Sequence, residues 1–146
     1  MMSTIQTNPA KAWAAELTQH GYHVTMPRLV VIELLAQKQQ ALTAEQLFDL
    51  AQQQDARLGR ATVYRTLELL EKLHLVCRVP NGGRQHAYVR SELATQPLAI
   101  CEHCGDLLVI QSHLFEKLLV ELYRKSNFEV HDHSLHLSGI CQTCQP

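Results

Sequence analysis

The sequence of 146 residues predicts an α+β fold built from two units. Within residues 1–90, four segments place apolar side chains at helical spacing and are followed by two short strand-like segments around a glycine turn. The rest of the chain combines strand-like segments, one amphipathic helix and two Cys-x-x-Cys pairs. A hydrophobic content of 46% is sufficient for a folded core.

Four helices are predicted in the first unit. The first three begin with a proline in the first turn or a capping side chain, at Asn8 with Pro9, Thr25 with Pro27, and Thr43 with Gln46. The fourth runs from about Arg60 to His74, and Val63, Leu67 and Leu70 form its buried stripe. We therefore expect short helices joined by tight connections.

A hairpin is predicted after the fourth helix. Leu75–Val79 and Gln85–Arg90 have strand character, and Pro80–Gly83 between them forms a turn. Helices followed by a hairpin are typical of a winged helix-turn-helix, whose last helix enters a groove of DNA. Residues 1–90 are thus predicted to form a winged-helix DNA-binding domain.

A second, smaller domain is predicted at residues 98–146, after a short polar hinge at residues 91–97. Its predicted elements are strands at Leu98–Ile100, Leu107–Ile110 and Glu129–Ser138 and a helix at Gln111–Asn127. A unit of this size rarely folds on its apolar core alone. We therefore predict a small α/β dimerisation domain that needs a bound metal and a second copy of itself.

Charge is divided unevenly between the two parts of the chain. Residues 1–90 hold ten Lys and Arg against seven Asp and Glu, a net +3, whereas residues 91–146 hold three against seven, a net −4. A basic first part suits contact with DNA phosphates. The longest apolar stretches fall far short of the roughly 20 residues of a membrane span, and the N-terminus lacks a secretory signal. We expect a cytoplasmic protein without membrane contact.

Four of the five cysteines form the strongest motif in the sequence. The pairs Cys101-x-x-Cys104 and Cys141-x-x-Cys144 together offer the four thiolates that structural zinc prefers. The alternatives are two disulfides or a thioredoxin-like redox pair. Disulfides are disfavoured in the cytosol, and neither pair lies at a strand-to-helix junction of a βαβ unit. Structural zinc is therefore predicted.

An enzyme, in the form of a small metal or thiol oxidoreductase, is the competing functional class. Against it, the sequence lacks a phosphate-binding glycine loop, a His-Glu-x-x-His helix, paired carboxylates and a nucleophile elbow. We therefore predict that the protein is not an enzyme.

Four motifs resemble the ferric uptake regulator family of metal-sensing transcription factors. They are Val24–Arg28 (VTMPR), Ala61–Leu67 (ATVYRTL), Cys101–Gly105 (CEHCG) and Gly139–Cys141 (GIC). The resemblance covers nearly the whole chain. It implies a winged-helix domain, a homodimer held by a four-cysteine zinc domain, and a regulatory metal at the hinge that sets the two DNA-binding domains for an operator.

Five residues are predicted to contact DNA. Tyr64 and Arg65 lie off the buried stripe of the fourth helix, where Thr62 occupies the first turn. Arginine binds guanine or phosphate, and tyrosine contacts thymine methyl groups or phosphate. The resemblance also implies that Arg28 and Arg60 lie near the DNA backbone.

The regulatory metal is predicted to be zinc. Iron sensors of the family usually carry a histidine-rich run before the first cysteine pair, whereas residues 94–100 here contain no histidine. Hairpin geometry allows Cys77 and His86 to lie opposite each other, and a thiolate with an imidazole suits zinc. The chain thus resembles the zinc uptake regulator branch, with further ligands to be drawn from His74, Glu102, His103 and Asp106.

Two alternatives to this zinc response stay open. Within the family, the chain could respond to iron or peroxide. Cys77 could also act as a redox sensor, because a low-pKa exposed thiolate is readily oxidised to sulfenic acid.

A third metal site is predicted in the second domain. His113 and Glu116 share a helix face at a spacing of three, and His131 and His133 share a strand face by alternation. The resemblance implies a further regulatory metal at Glu116 and His133.

Overall fold

Four helices form the first part of the chain in the computed structural model, which describes residues 9–83 and 85–146. They are α1 (Pro9–Gln19), α2 (Met26–Gln37), α3 (Ala44–Gln54) and α4 (Arg60–Lys72). Thr25 caps α2 by accepting a 3.4 Å hydrogen bond from the N–H of Arg28. Thr43 and Gln46 form a capping box at α3, which confirms the prediction. Asn8, the predicted cap of α1, lies outside the described residues.

An apolar core joins these four helices. Its fully buried side chains include Leu17, Val31, Ile32, Leu47, Val63, Leu67 and Leu70. α4 ends at Lys72, two residues before the predicted end, because His74 has a φ of +58°, in the left-handed region that terminates helices. The buried stripe fixes α4 on the core and leaves its opposite face exposed.

A three-stranded antiparallel sheet, here called the wing, packs beside the helices. Across the sheet, the order is β1–β3–β2, with β1 (Leu42–Thr43), β2 (Val76–Pro80) and β3 (His86–Arg90). The hairpin prediction is confirmed, although β2 and β3 each begin one residue later than expected. β1 was not predicted, because two residues are too few to display alternation.

The C-terminal unit contains a second sheet and a long helix. Its elements are α5 (Ser91–Ala94), β4 (Leu98–Cys101), β5 (Leu107–Val109), α6 (Ser112–Ser126) and β6 (His136–Gly139). β4 lies between β5, to which it is antiparallel, and β6, to which it is parallel. α5 occupies part of the segment for which the sequence predicted a polar linker.

The predicted strand Glu129–Ser138 is wrong over most of its length. Only its last residues are extended, in β6, and residues 127–135 are irregular. Leu98, the first residue of β4, pairs with His136, so β4 offers no partner upstream of that position. A strand without a partner leaves its backbone unpaired, which explains the short β6.

A second apolar cluster joins the wing to the C-terminal unit. Val79 and Val89 of the wing pack against Leu98 and Ile100 of β4, and each is at most 1% exposed. Cys77, which is half-buried, packs against the same cluster. The two parts of the chain therefore share a core at the hinge.

The C-terminal unit leaves an unusually apolar surface exposed. α6 is 15 residues long and buries only Phe115. Exposed large apolar side chains in this unit include Leu108, Leu114, Leu118, Leu122, Phe128 and Leu137. Exposed apolar side chains in this number are typical of a protein interface. Within the part of the chain that the structure describes, no helix combines the length and apolar character that crossing a membrane requires.

Candidate DNA interface and metal centre

The four cysteines meet at one end of the second sheet. Cys101 ends β4, Cys141 follows β6, and these strands are parallel neighbours, so both cysteine pairs lie at the same end. Their four Sγ atoms lie within 4.8 Å of one another. Sγ of Cys104 is 3.7 Å from Sγ of Cys141, close to the about 3.8 Å expected between sulfurs of tetrahedral zinc with bonds of about 2.3 Å. The cluster fits a structural zinc site.

The surrounding hydrogen bonds make these thiols differ in acidity. The N–H of Cys141 donates to Sγ of Cys101 at 3.4 Å, and backbone N–H groups, this one foremost, lower the pKa of Cys101 to about 6. The hydrogen bond with Cys141, and then burial, raise the pKa of Cys144 to about 12. Four thiolates repel one another, so a divalent cation is required to hold all of them ionised. With four protein ligands, zinc has no open position for a substrate.

Three of the predicted DNA contacts line one recess between α2 and α4. They are Arg28, Thr62 and Arg65, and Thr25 completes the lining. The guanidinium of Arg28 is oriented by a 2.7 Å hydrogen bond from Nη1 to the carbonyl of His23. Because Thr25 and Thr62 belong to the N-terminal ends of their helices, backbone N–H groups and helix dipoles favour an anion here. The recess therefore suits a DNA phosphate.

Thr25 was predicted as a helix cap and as part of the VTMPR motif, but not as a DNA contact. Its contribution to the recess follows from its place as the N-cap of α2, three residues before Arg28. This spacing puts both side chains on one face of the helix end, a signal that the sequence already contained.

Tyr64 and His86 line a second recess, between α4 and the wing. Tyr64 is 45% exposed, and the recess is also bordered by Glu45, Gln85 and Tyr88. His86 therefore lies beside the helix predicted to read DNA rather than at the hinge. A polar tip on a wing strand next to this helix is suitably placed to contact a nucleic acid.

Arg60 is engaged by α3. Its Nε and Nη2 donate to the carboxylate of Glu45 at 3.2 to 3.3 Å, and its guanidinium lies 4.3 Å from the centroid of the Phe48 ring. These contacts orient the start of α4 against α3. Within the part of the chain that the structure describes, Arg60 is thus the predicted DNA contact whose charge is already paired with a carboxylate.

The expectation that the hairpin sets Cys77 opposite His86 is wrong. Cys77 pairs with Val89, and His86 pairs with Pro80, three positions further along the ladder. An odd number of positions puts the two side chains on opposite faces of the sheet. Cys77 instead faces the hinge, where its Sγ lies 3.3 Å from Oγ of Ser91.

The other candidate ligands of the regulatory metal do not gather around Cys77. His74 is exposed two residues after the end of α4, and His103 is exposed in the turn between Cys101 and Cys104. Within residues 9–83 and 85–146, the four cysteines are the only group of three or more potential ligands close enough to share an ion.

The third predicted site is only partly assembled. Glu116 of α6 and His133 border one open groove, and the His133 ring lies 4.7 Å from that of Phe115. His113 is exposed on α6, and His131 lies 3.8 Å from the carboxylate of Glu129. The predicted strand face shared by His131 and His133 does not form, because β6 begins after both residues.

A family model and a curated relative match most of the chain. The model described as the ferric uptake regulator family matches residues 19–138. The ferric uptake regulation protein of Bacillus subtilis (strain 168) is 32% identical over 133 residues, which cover 88% of this chain and 89% of that protein.

Solved structures share the fold. The ferric uptake regulator of Helicobacter pylori matches with a TM-score of 0.74 at 20% identity, over 99% of this chain and 98% of that chain. A zinc uptake regulator complexed with zinc and DNA matches with a TM-score of 0.63 at 24% identity, over 97% of this chain and 96% of that chain. At these identities, the two structures indicate a common fold alone.

Proposed function

Because the chain belongs to the ferric uptake regulator family, we propose that it is a zinc-responsive regulator that represses zinc-uptake genes when zinc is bound. Membership of the family makes it a metal-responsive, DNA-binding transcription regulator with a winged-helix fold. Within the family, we propose that the sensed metal is zinc and that the chain belongs to the zinc uptake regulator branch.

The recess at the starts of α2 and α4 is the observation that carries the DNA-binding role. Arg28 and Arg65 present two guanidinium groups there, beside the hydroxyls of Thr25 and Thr62. We assign phosphate contacts to this recess and base contacts to Tyr64 and the exposed face of α4. Arg60 orients α4 through α3 and approaches the DNA backbone from the same helix end.

Sulfur donors support zinc as the metal. The assembled cluster consists of four thiols, and the chain has a fifth thiol, Cys77, at the hinge and outside that cluster. Thiolates are soft ligands that favour zinc over iron(II) or manganese. In the proposal, the four-cysteine zinc holds the fold, and at least one further zinc per subunit is regulatory.

Cys77 is the proposed thiolate ligand of the regulatory zinc. Since His86 lies on the other face of the wing, the remaining ligands must come from the Cys77 face or from the C-terminal unit. A second regulatory ion is proposed in the groove bordered by Glu116 and His133.

The functional unit is proposed to be a homodimer in the cytoplasm, where operator DNA is available. Leu114, Leu118 and Leu122 recur every four residues on α6 and are at least 40% exposed, so a second copy of this helix would cover them. A dimer presents two copies of α4, as required for two successive major grooves.

The regulatory mechanism is linkage between metal and DNA binding. Zinc at the hinge selects the arrangement in which both copies of α4 fit the operator, so affinity for DNA rises with free zinc. By reciprocity, DNA tightens zinc binding by the same factor.

Fluorescence anisotropy on an A/T-rich duplex tests this function. Protein that carries only its structural zinc is titrated with buffered zinc or iron(II), and Cys77→Ser is compared with the unsubstituted chain. Zinc alone is expected to raise affinity, and Cys77→Ser is expected to abolish that rise while the protein stays dimeric. An equal response to iron(II) would support an iron-responsive regulator, the second candidate, which the curated Bacillus subtilis relative favours.

A further inference from the structure

The turn between the first two cysteines contacts the DNA-binding part of the chain. Residues 101–106 are here called the zinc knuckle. The N–H of Ala41, in the loop between α2 and β1, donates a 2.8 Å hydrogen bond to the carbonyl of Gly105. Beside it, Nε2 of Gln40 donates a 2.7 Å hydrogen bond to Oδ1 of Asp106. The knuckle is thus bonded to the loop that follows α2.

Glycine permits this close approach. Gly105 has a φ of +77°, and a Cβ built on it would overlap the backbone carbonyl oxygen of Ala41. Because the obstacle is main chain rather than a movable side chain, any larger residue would push the loop and the knuckle apart. The buried state of Ala41, which is 2% exposed, reflects how closely the two segments pack.

A second contact joins the knuckle to the turn of the wing. A Cβ on Gly82 would overlap the carboxylate of Glu102, so this carboxylate lies directly against the wing turn. Glu102 is held there by a 2.6 Å hydrogen bond from the hydroxyl of Ser138 on β6. The knuckle therefore touches two segments of the DNA-binding unit, the α2–β1 loop and the turn of the wing.

We propose that the zinc knuckle is a positioning element that transmits the state of the four-cysteine site to the DNA-binding unit. Bound zinc would link Cys101 and Cys104 to the second cysteine pair. This link would hold the carbonyl of Gly105 against the α2–β1 loop and the carboxylate of Glu102 against the turn of the wing. Loss of zinc removes this cross-link, so the knuckle releases both contacts and the DNA-binding unit gains freedom relative to the dimer. This inference rests on the proposed DNA-binding function for its consequence, but not for the docking itself.

Amide hydrogen exchange tests the docking without DNA. The N–H of Ala41 has its partner in the knuckle, so its exchange is expected to rise about tenfold when a chelator removes zinc from the full-length protein. Amides in the middle of α4, such as that of Leu67, belong to a separate core and are expected to keep their protection. Unchanged protection of Ala41 after removal of zinc would show that the knuckle stays docked without the metal, and that result would overturn the proposal.

Substitutions separate docking from zinc binding. Gln40→Ala removes the hydrogen bond to Asp106, and Gln39→Ala is its matched control on the neighbouring exposed residue. Gly82→Ala displaces the Glu102 carboxylate, whereas Gly83→Ala introduces a side chain at another positive φ with open space around it. Zinc content and the mass of the dimer are measured for every variant, so that a loss of metal or of dimer is recognised.

The DNA measurement completes the test. Gln40→Ala and Gly82→Ala are expected to keep zinc and the dimer, to increase exchange at Ala41 or the wing turn, and to weaken binding of the A/T-rich duplex about threefold to tenfold. When Glu102 is also replaced by alanine, the carboxylate that Gly82→Ala would displace is absent. Gly82→Ala is then expected to weaken DNA binding no more than Gly83→Ala does. Unchanged or increased affinity in both variants would overturn the positioning role. If the unsubstituted chain bound no DNA, the proposed function would fail, while the exchange result would still decide the docking.

Discussion

Cys77 and His86 leave the wing on opposite faces of the sheet. They are separated by three ladder positions, a distance of about 10 Å along the strands at about 3.3 Å per residue. Cys77 faces the apolar cluster between the wing and the C-terminal unit, whereas His86 faces the recess that contains Tyr64. We therefore expect the two residues to act on different processes.

His86→Ala is expected to weaken DNA binding about threefold and to leave the zinc response unchanged, because the imidazole lies beside α4 and away from the hinge. Operator affinity is measured by anisotropy with and without buffered zinc, and the ratio of the two dissociation constants is the readout. Cys77→Ser serves as the comparison, since it is expected to change this ratio. A His86→Ala protein that no longer responds to zinc would contradict the assignment.

Local signals in the sequence were sufficient for the five longer helices, but not for the four-residue α5, and for the four-cysteine centre. A capping box such as that of Thr43 and Gln46 spans one helical turn, and each Cys-x-x-Cys pair is a local motif. These features depend on neighbours in sequence, so the folded chain reproduced them. Zinc chemistry then requires the two distant cysteine pairs to meet.

The regulatory ligands depended on register and strand length, which local patterns do not determine. One alternative pairing of β2 with β3 would have brought Cys77 and His86 to one face. Likewise, His131 and His133 would share a strand face only if β4 extended upstream to pair with them, and it begins at Leu98. The sequence offered no signal for the register of β2 and β3 or for the length of β4.

Arg65→Ala is expected to lower operator affinity about tenfold and to reduce the salt dependence of binding by about one released counterion. Arg28→Ala is expected to behave similarly, because both side chains line the same recess. Arg60→Ala is the informative contrast. Its guanidinium already contacts Glu45 and Phe48, so its loss is expected to have the smallest effect on the salt slope. Anisotropy over a range of salt concentrations measures all three, and a steeper loss for Arg60→Ala would refute this order.

Ile100→Ala is expected to destabilise the protein by about 2–5 kcal/mol, because it opens a cavity in the cluster between the wing and β4. Ile100 is 1% exposed and packs within that cluster. Urea unfolding at one fixed protein concentration gives the free energy, since a dimer's stability depends on concentration. Lys117→Ala, on the exposed surface of α6, is the control and is expected to change stability by about 0.5 kcal/mol or less. Equal effects of the two substitutions would mean that the shared core contributes little.

Zinc affinity of the four-cysteine site is expected to fall as pH is lowered, with a steeper fall below about pH 6. Cys144, whose pKa is raised to about 12, is protonated in the metal-free protein at neutral pH and must release its proton to zinc. Cys101, whose pKa is lowered to about 6, is already ionised at pH 7 and begins to compete with protons only near pH 6. The logarithm of the affinity is therefore expected to change by at least about one for each pH unit between pH 8 and pH 6, and by one more below that range.

Competition with a chromophoric chelator measures the affinity as a function of pH. Cys77→Ser, which lies outside the cluster, is expected to give the same curve, and an affinity independent of pH would rule out thiol deprotonation as its origin.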